Sequence, residues 1–234
     1  MSLLLLGAGL GGSAPPANPT WHANQGTTTT GTTNTGVITT LVDLDIGDLL
    51  VIHGIFSTNR SISSIVDSVG GNTWASTSAS GSSPVGTDRR LTMSYSRLAA
   101  ALPAGTTVTF TYSGTCVKSL IAQSFKNIAA SPLDLTGTAE VGGTASVVQS
   151  APGTMAQAVE MQVGAVFYET SENPVTSTFT ADAGWANSYN VPYNTFGRLT
   201  VFTRLVTDGT SVGATGTIST TKNWIGRIHT FKGA

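Results

Sequence analysis

The sequence predicts an all-β chain, an antiparallel β-sandwich built on an internal duplication of about 108 residues and preceded by an extended N-terminal arm. Three observations carry that expectation. Short runs rich in Val, Ile, Thr and aromatics alternate with Gly, Pro, Asn and Asp clusters, no 12-residue window sustains a helical period, and the second half repeats the landmarks of the first.

In chain order, the arm comes first, over residues 1–35. Met1 to Leu10 is an apolar decapeptide with four consecutive leucines, but no Lys or Arg precedes Arg60, and Gly7, Gly9, Gly11 and Gly12 interrupt any helix. A cleaved signal peptide is therefore not expected, and the run is too short to span a bilayer. Pro15, Pro16 and Pro19 follow, then Trp21 and a low-complexity stretch from Gly26 to Gly36 that reads as an extended linker. Leu3, Leu4, Leu5, Leu6, Leu10 and Trp21 are the expected assembly contact, docked on a neighbouring subunit. Packing on the chain's own domain is the alternative.

Residues 36–234 form the expected sandwich. Strands are predicted at Asp48 to Phe56, Leu91 to Leu98, Thr106 to Tyr112, Val117 to Phe125, Ala158 to Tyr168, Leu199 to Val206 and Trp224 to Phe231. Alternation is cleanest at Thr106 to Tyr112, where Val108, Phe110 and Tyr112 share one face and Thr107, Thr109 and Thr111 the other. The duplication shows in Arg90-Leu91-Thr92 against Arg198-Leu199-Thr200, an offset of 108 (198 − 90). Trp74-Ala75 meets Trp185-Ala186, Gly54 meets Gly164, and Phe125-Lys126 meets Phe231-Lys232, all in the same order. The related halves, about 36–128 and 147–234, are expected to build one sandwich between them, two small sandwiches being the alternative.

Charged residues are 10% of the chain, against about 25% in an average globular protein, and the net charge is -1. Thr, Ser, Asn and 27 glycines must cover the surface, which leaves little repulsion between copies. No basic stripe larger than Arg89-Arg90 exists, so nucleic acid is not an expected partner, nor is a membrane. One cysteine, Cys116, excludes an intrachain disulfide and is expected to be a buried apolar side chain.

Catalysis requires groups gathered with shifted protonation behaviour, and the sequence offers few. His53 and His229 fall inside predicted strands without a nucleophile elbow, and His22 lies in the arm. Glu169, Glu172 and Asp182 border one region and could mimic a glycosidase pair, though a solvated turn has the same composition. Asp43, Asp45 and Asp48 invite a Ca²⁺ test, but their spacing is that of a wet strand edge and a turn. The expectation is no enzyme, no cofactor and no metal. Trp185, Tyr189, Tyr193 and Phe196, in the segment Gly184 to Gly197, are the candidate partner loop, suited to a subunit contact or a glycan. The competing reading makes Trp185 core, by its match to Trp74.

Gly47-Asp48-Leu49-Leu50-Val51, Asp67 to Trp74, Ala104 to Phe110 and Asn127 to Asp134, in that order, resemble jelly-roll-like domains of tailed-bacteriophage particles and bacterial surface proteins. The leading Leu-Leu-Leu-Leu-Gly-Ala-Gly is similar to the start of many tailed-phage structural proteins. The likeness covers most of residues 36–234 and implies a virion structural protein, such as a capsid decoration or head-fibre subunit. Its implied partners are other virion proteins (capsid, portal-proximal or tail) and copies of itself as a homo-oligomer, and its implied location is the virion. A tail or surface receptor-binding module that takes a glycan is the second expectation, and a polysaccharide hydrolase a remote third.

Overall fold

A computed structural model describes residues 17–57, 60–81, 89–169, 176–193, 195 and 197–234. These residues fold into antiparallel strands with no helix among them. The first half supplies β1 (Thr20–Thr39), β2 (Leu49–Ser57), β3 (Ile62–Asp67), β4 (Ala75–Gly81), β5 (Arg89–Arg97) and β6 (Thr107–Lys126). The second supplies β7 (Ile128–Thr136), β8 (Glu140–Gly142), β9 (Ser146–Gln149), β10 (Glu160–Glu169), β11 (Phe179–Ala181), β12 (Ala186–Tyr193), β13 (Gly197–Val206), β14 (Ala214–Ile218) and β15 (Trp224–Gly233).

The duplication expected from the sequence is written in the pairing. The large sheet of the first half runs β1-β6-β2-β5-β4, and that of the second runs β7-β15-β10-β13-β12, position for position. Each half adds a three-stranded layer. In the second half it is β9-β14-β11. In the first half, Thr35 to Thr39 of β1 pairs with Thr111 to Thr107 of β6, and β3 pairs with the other side of that same stretch. Counting segments along either half, the first pairs with the last, the second with the seventh and the third with the sixth, the nested pattern of a jelly roll.

Four layers result, in the order small, large, large, small. Each small sheet covers a core of its own half. Ile38, Val108 and Phe110 meet Leu50, Ile52, Phe56 and Leu120 in the first half, while Val147, Phe179 and Ile218 meet Val166, Tyr168 and Phe202 in the second. The two large sheets then face one another, through Ile55, Leu91 and Ile121 against Phe167, Leu199 and Val201 at one end. Leu49, Val51 and Phe125 against Met161, Val163 and Phe231 fill the other. Central strands are thus buried on both faces, which is why β2 and β10 read as nearly continuous apolar runs and not as alternating ones.

Two local expectations are corrected. Gly26 to Gly36, read as linker, is the middle of β1, which pairs with β6 from Thr20 to Thr39 through register shifts at Trp21/Ala23, Asn24/Gly26, Thr30/Thr33 and Thr33/Thr35. An edge strand needs only one paired side and little burial, so a Thr-rich run suffices. Thr106 to Tyr112 and Val117 to Phe125, read as two strands, are one strand, β6, that passes from the small sheet to the large.

The turn after β3 follows its sequence closely. Gly70 and Gly71 take φ of 78° and 87°, open only to glycine at low cost, and Asp67 accepts the Gly70 N–H at 2.7 Å. Asn72 directs its side chain to a neighbouring turn. Its carbonyl accepts the N–H groups of Ala99 and Ala100 at 2.8 and 2.9 Å, tying this turn to the one after β5.

Candidate interaction surface

Trp21 lies on β1 opposite Phe125 and is 46% exposed. The other members of the expected arm contact, Leu3, Leu4, Leu5, Leu6 and Leu10, lie outside the described residues, as does Phe196. Residues 1–42 carry no Lys, Arg, Asp or Glu.

Residues 184–197 do not form the loop expected of them. Ala186 to Tyr193 is the edge strand β12, paired with β13. Trp185 is buried edge-on against Phe202, 5.1 Å between centroids, so it belongs to the second-half core as its match to Trp74 allowed. Tyr193 is buried between the large sheets, where its hydroxyl donates to the Val117 carbonyl at 3.3 Å and the Arg89 guanidinium lies 5.2 Å from its ring centre. Of the three that are described, Tyr189 alone is exposed, at 43%. The rings proposed for partner recognition are therefore not gathered on one surface: Tyr189 and Tyr193 fall on the same face of β12, but Tyr193 is covered by the first half while Tyr189 is not.

The acidic groups are engaged structurally. Asp43 accepts the Ala104 N–H at 2.8 Å, Asp48 accepts the Asp45 N–H at 3.0 Å, and Lys126 pairs with Asp45 at 3.0 Å and Asp48 at 3.5 Å. Glu169 holds Arg89 at 3.1 Å across the two halves. Asp182 accepts the Thr215 hydroxyl. Glu172 lies outside the described residues. Among the described residues no group of three or more His, Cys, Asp or Glu is placed to hold a metal ion, and no helix is long and apolar enough to cross a membrane.

Sequence reasoning underrated two features. His53 of β2 and His229 of β15 meet between the large sheets, 6.2 Å apart, both almost fully buried. Burial pushes the His53 imidazole down to about 3 and lowers His229 as well, the latter also repelled by His53 and Arg227. His229 Nε2 bonds the Thr77 hydroxyl at 3.0 Å, whereas both His53 nitrogens and both amide atoms of Gln123 lack a partner. Lys118 is the second. It is fully buried, and its ammonium donates to the carbonyls of Thr33 and Cys116 and to the Thr33 hydroxyl, each at 2.9 Å, above the Tyr112 ring. Cys116 is buried, as its sequence context suggested, and burial raises its thiol pKa.

The outer faces of the small sheets are the surface that distinguishes this fold. On the first, Thr35, Val37 and Thr39 lie beside Thr111, Thr109 and Thr107, with Ser64 and Val66 on the far strand. On the second, Ser146 and Val148 lie beside Thr217 and Thr215, with Thr180 beyond. Neither array has a charged residue among these positions, but the Asp182 carboxylate meets the second at the Thr215 hydroxyl. Comparison with known proteins finds no matching family model, no matching curated protein and no matching solved structure.

Proposed function

We propose that the chain is a structural subunit of a bacteriophage particle, of the capsid-decoration or head-fibre kind, that joins its assembly through the uncharged N-terminal segment and works by adhesion, not chemistry. The observation that carries this reading is the matched pair of charge-poor hydroxyl and valine faces at opposite ends of a four-layer body, with Asp182 the one carboxylate bonded to either array among the described residues. A stack with nearly uncharged ends suits repeated contact with neighbours, because like copies are little repelled at close range. The uncharged residues 1–42 extend the same property to the leading segment. A specific interface needs roughly 1,200 to 2,000 Å² in total, and an extended arm contributes area without requiring a large flat patch.

Deletion of residues 2–16 tests the reading. The shortened chain is expected to keep its β-sheet circular dichroism and solubility, since β1 begins at Thr20 and the cores lie beyond it. It is expected to be missing from particles produced with the deletion in place. Normal incorporation of the shortened chain would refute the arm as the anchor.

A further inference from the structure

The first-half small sheet stops at β3, one strand short of a four-stranded jelly-roll layer, because β4 pairs with β5 in the large sheet instead. A groove of about 450 Å³ opens there, lined by Ile62, Ser63, Ser64 and Ile65 of β3 and by Thr73 and Trp74 before β4. Consecutive β3 residues from both faces line it, which only an exposed strand edge permits. Among the described residues no strand pairs with the second side of β3 or of β4.

The other edges are defended in the ways that natural sheets use. On β7 stand Pro132 and Asp134 with shifted register, and on β12 Pro192 with a shift at Asn187/Tyr189. The β9 and β11 edges are 4 and 3 residues long, and β1 is repeatedly bulged. By contrast β3 and β4 run 6 and 7 residues and contain no Lys, Arg or Pro; β4 keeps its register with β5 throughout, and β3 carries one register shift, at Ile62/Ser64. These two lightly defended edges border the same groove.

We propose that this groove accepts the apolar N-terminal segment of a second copy, residues 3–6 above all, as an added strand on β3. The proposal rests on the reading of the arm as an assembly contact and names its acceptor. Main-chain hydrogen bonds to the free edge supply affinity, and Ile62, Ile65 and Trp74 receive leucine side chains. Both partners are uncharged, so no carboxylate or ammonium must be stripped of water. Geometry points to a neighbour as donor. The described chain starts at residue 17, beside the point where Asn127 donates to the Asn18 carbonyl, just past the Lys126 end of β6. The groove adjoins the opposite end of β6 and the opposite edge of the large sheet from β1. Donor and acceptor are different surfaces, so copies exchange arms reciprocally in a closed dimer or pass them head-to-tail into rings or filaments.

Two full-length variants separate the surfaces. Leu4→Asp/Leu5→Asp keeps the groove and spoils the donor, whereas Ser63→Lys/Thr73→Lys keeps the donor and charges the groove rim. By analytical ultracentrifugation the unaltered chain is expected to self-associate, as a reciprocal dimer or larger, and each variant alone to be monomeric, with affinity at least tenfold weaker. Mixed in equal amounts, the two variants are expected to form dimers and nothing larger, one good arm in one good groove. A monomeric unaltered chain, association that survives either variant, or a mixture that stays monomeric would each overturn the proposal. Loss of particle incorporation alongside unchanged self-association would leave the anchoring role standing and remove only this acceptor.

Discussion

The two halves share one pairing scheme but build it from different strand lengths. In the first, β1 and β6 each run 20 residues and pass unbroken from the large sheet to the small. In the second, the same path is cut into β7, β8 and β9 on one side and β14 and β15 on the other. The difference lies at the corner. In the first half Lys118 reaches across to the Thr33 carbonyl where β1 shifts register, and Arg60 packs on Gly114 and donates to the Thr115 carbonyl at 3.3 Å. The second half turns the corner through Ser219 to Asn223, outside any strand. A long strand can bend between layers if the carbonyls freed by the bend find donors, and otherwise it ends.

Lys118→Ala should break this contrast most strongly. Truncation leaves a cavity and orphans two carbonyls, for an expected loss of about 3 to 4 kcal/mol in chemical denaturation. No carboxylate pairs with Lys118 among the described residues, so no counter-charge is left behind to add to that cost. Amide exchange should accelerate first in β1 from Thr27 to Thr35, making the first half resemble the second. Unchanged protection there would mean that the lysine is not what keeps β1 continuous.

A matched pair of glycines sharpens the comparison at smaller cost. Gly54 of β2 and Gly164 of β10 hold equivalent central positions, but a methyl group on Gly164 would overlap the Phe202 ring. That ring is fully buried and braced by Phe179 and Trp185. On Gly54 it would meet Leu120 Cδ2 at 2.8 Å and Thr92 Oγ1 at 3.0 Å, atoms at the ends of side chains that can turn. Gly164→Ala is expected to cost about 3 kcal/mol and Gly54→Ala about 1 kcal/mol by thermal denaturation. Equal costs would show that the two cores are equally compliant.

Legibility in the sequence followed burial. The central strands β2, β5, β6, β10, β13 and β15 announced themselves because a strand enclosed on one or both sides must be apolar at fixed intervals. The strands not predicted lie at sheet edges, β1 and β12 among them, where Thr27 to Thr35 and Asn187 to Asn190 satisfy half a ladder and need little core; β14, five residues long in the middle of a small sheet, is the exception. Site residues suffered for the same reason. Tyr193 sits on a strand whose alternation was hidden by Asn and Pro neighbours, so its ring was assigned to a surface it does not reach. The landmark match that made Trp185 the partner of Trp74 was the one signal that pointed correctly to core. The burial of Lys118 had no signature at all, since its acceptors come from β1, 85 residues away in sequence.

Between the halves the histidines set a pH dependence that neither half has alone. His53 is held near a pKa of about 3 between the sheets and titrates near 6.5 in an unfolded chain, so the unfolded state binds the extra proton across that window. A folded value depressed by burial of a neutral histidine means stability is full above about pH 6.5 and falls as the pH drops toward 3. His229, lowered for the same reason, acts in the same direction. His53 alone should remove about 2 kcal/mol between pH 7 and pH 5, at about 1.4 kcal/mol per unit. His53→Met, of similar size and without a titrating group, is expected to flatten the loss by that amount while Lys118→Ala leaves the slope as it is. The groups that face the pair are Thr77, Gln123 and Arg227, and only Arg227 is charged, so no carboxylate is present to hold a protonated ring. A slope unaffected by His53→Met would place the acid sensitivity elsewhere than in the seam that joins the two halves.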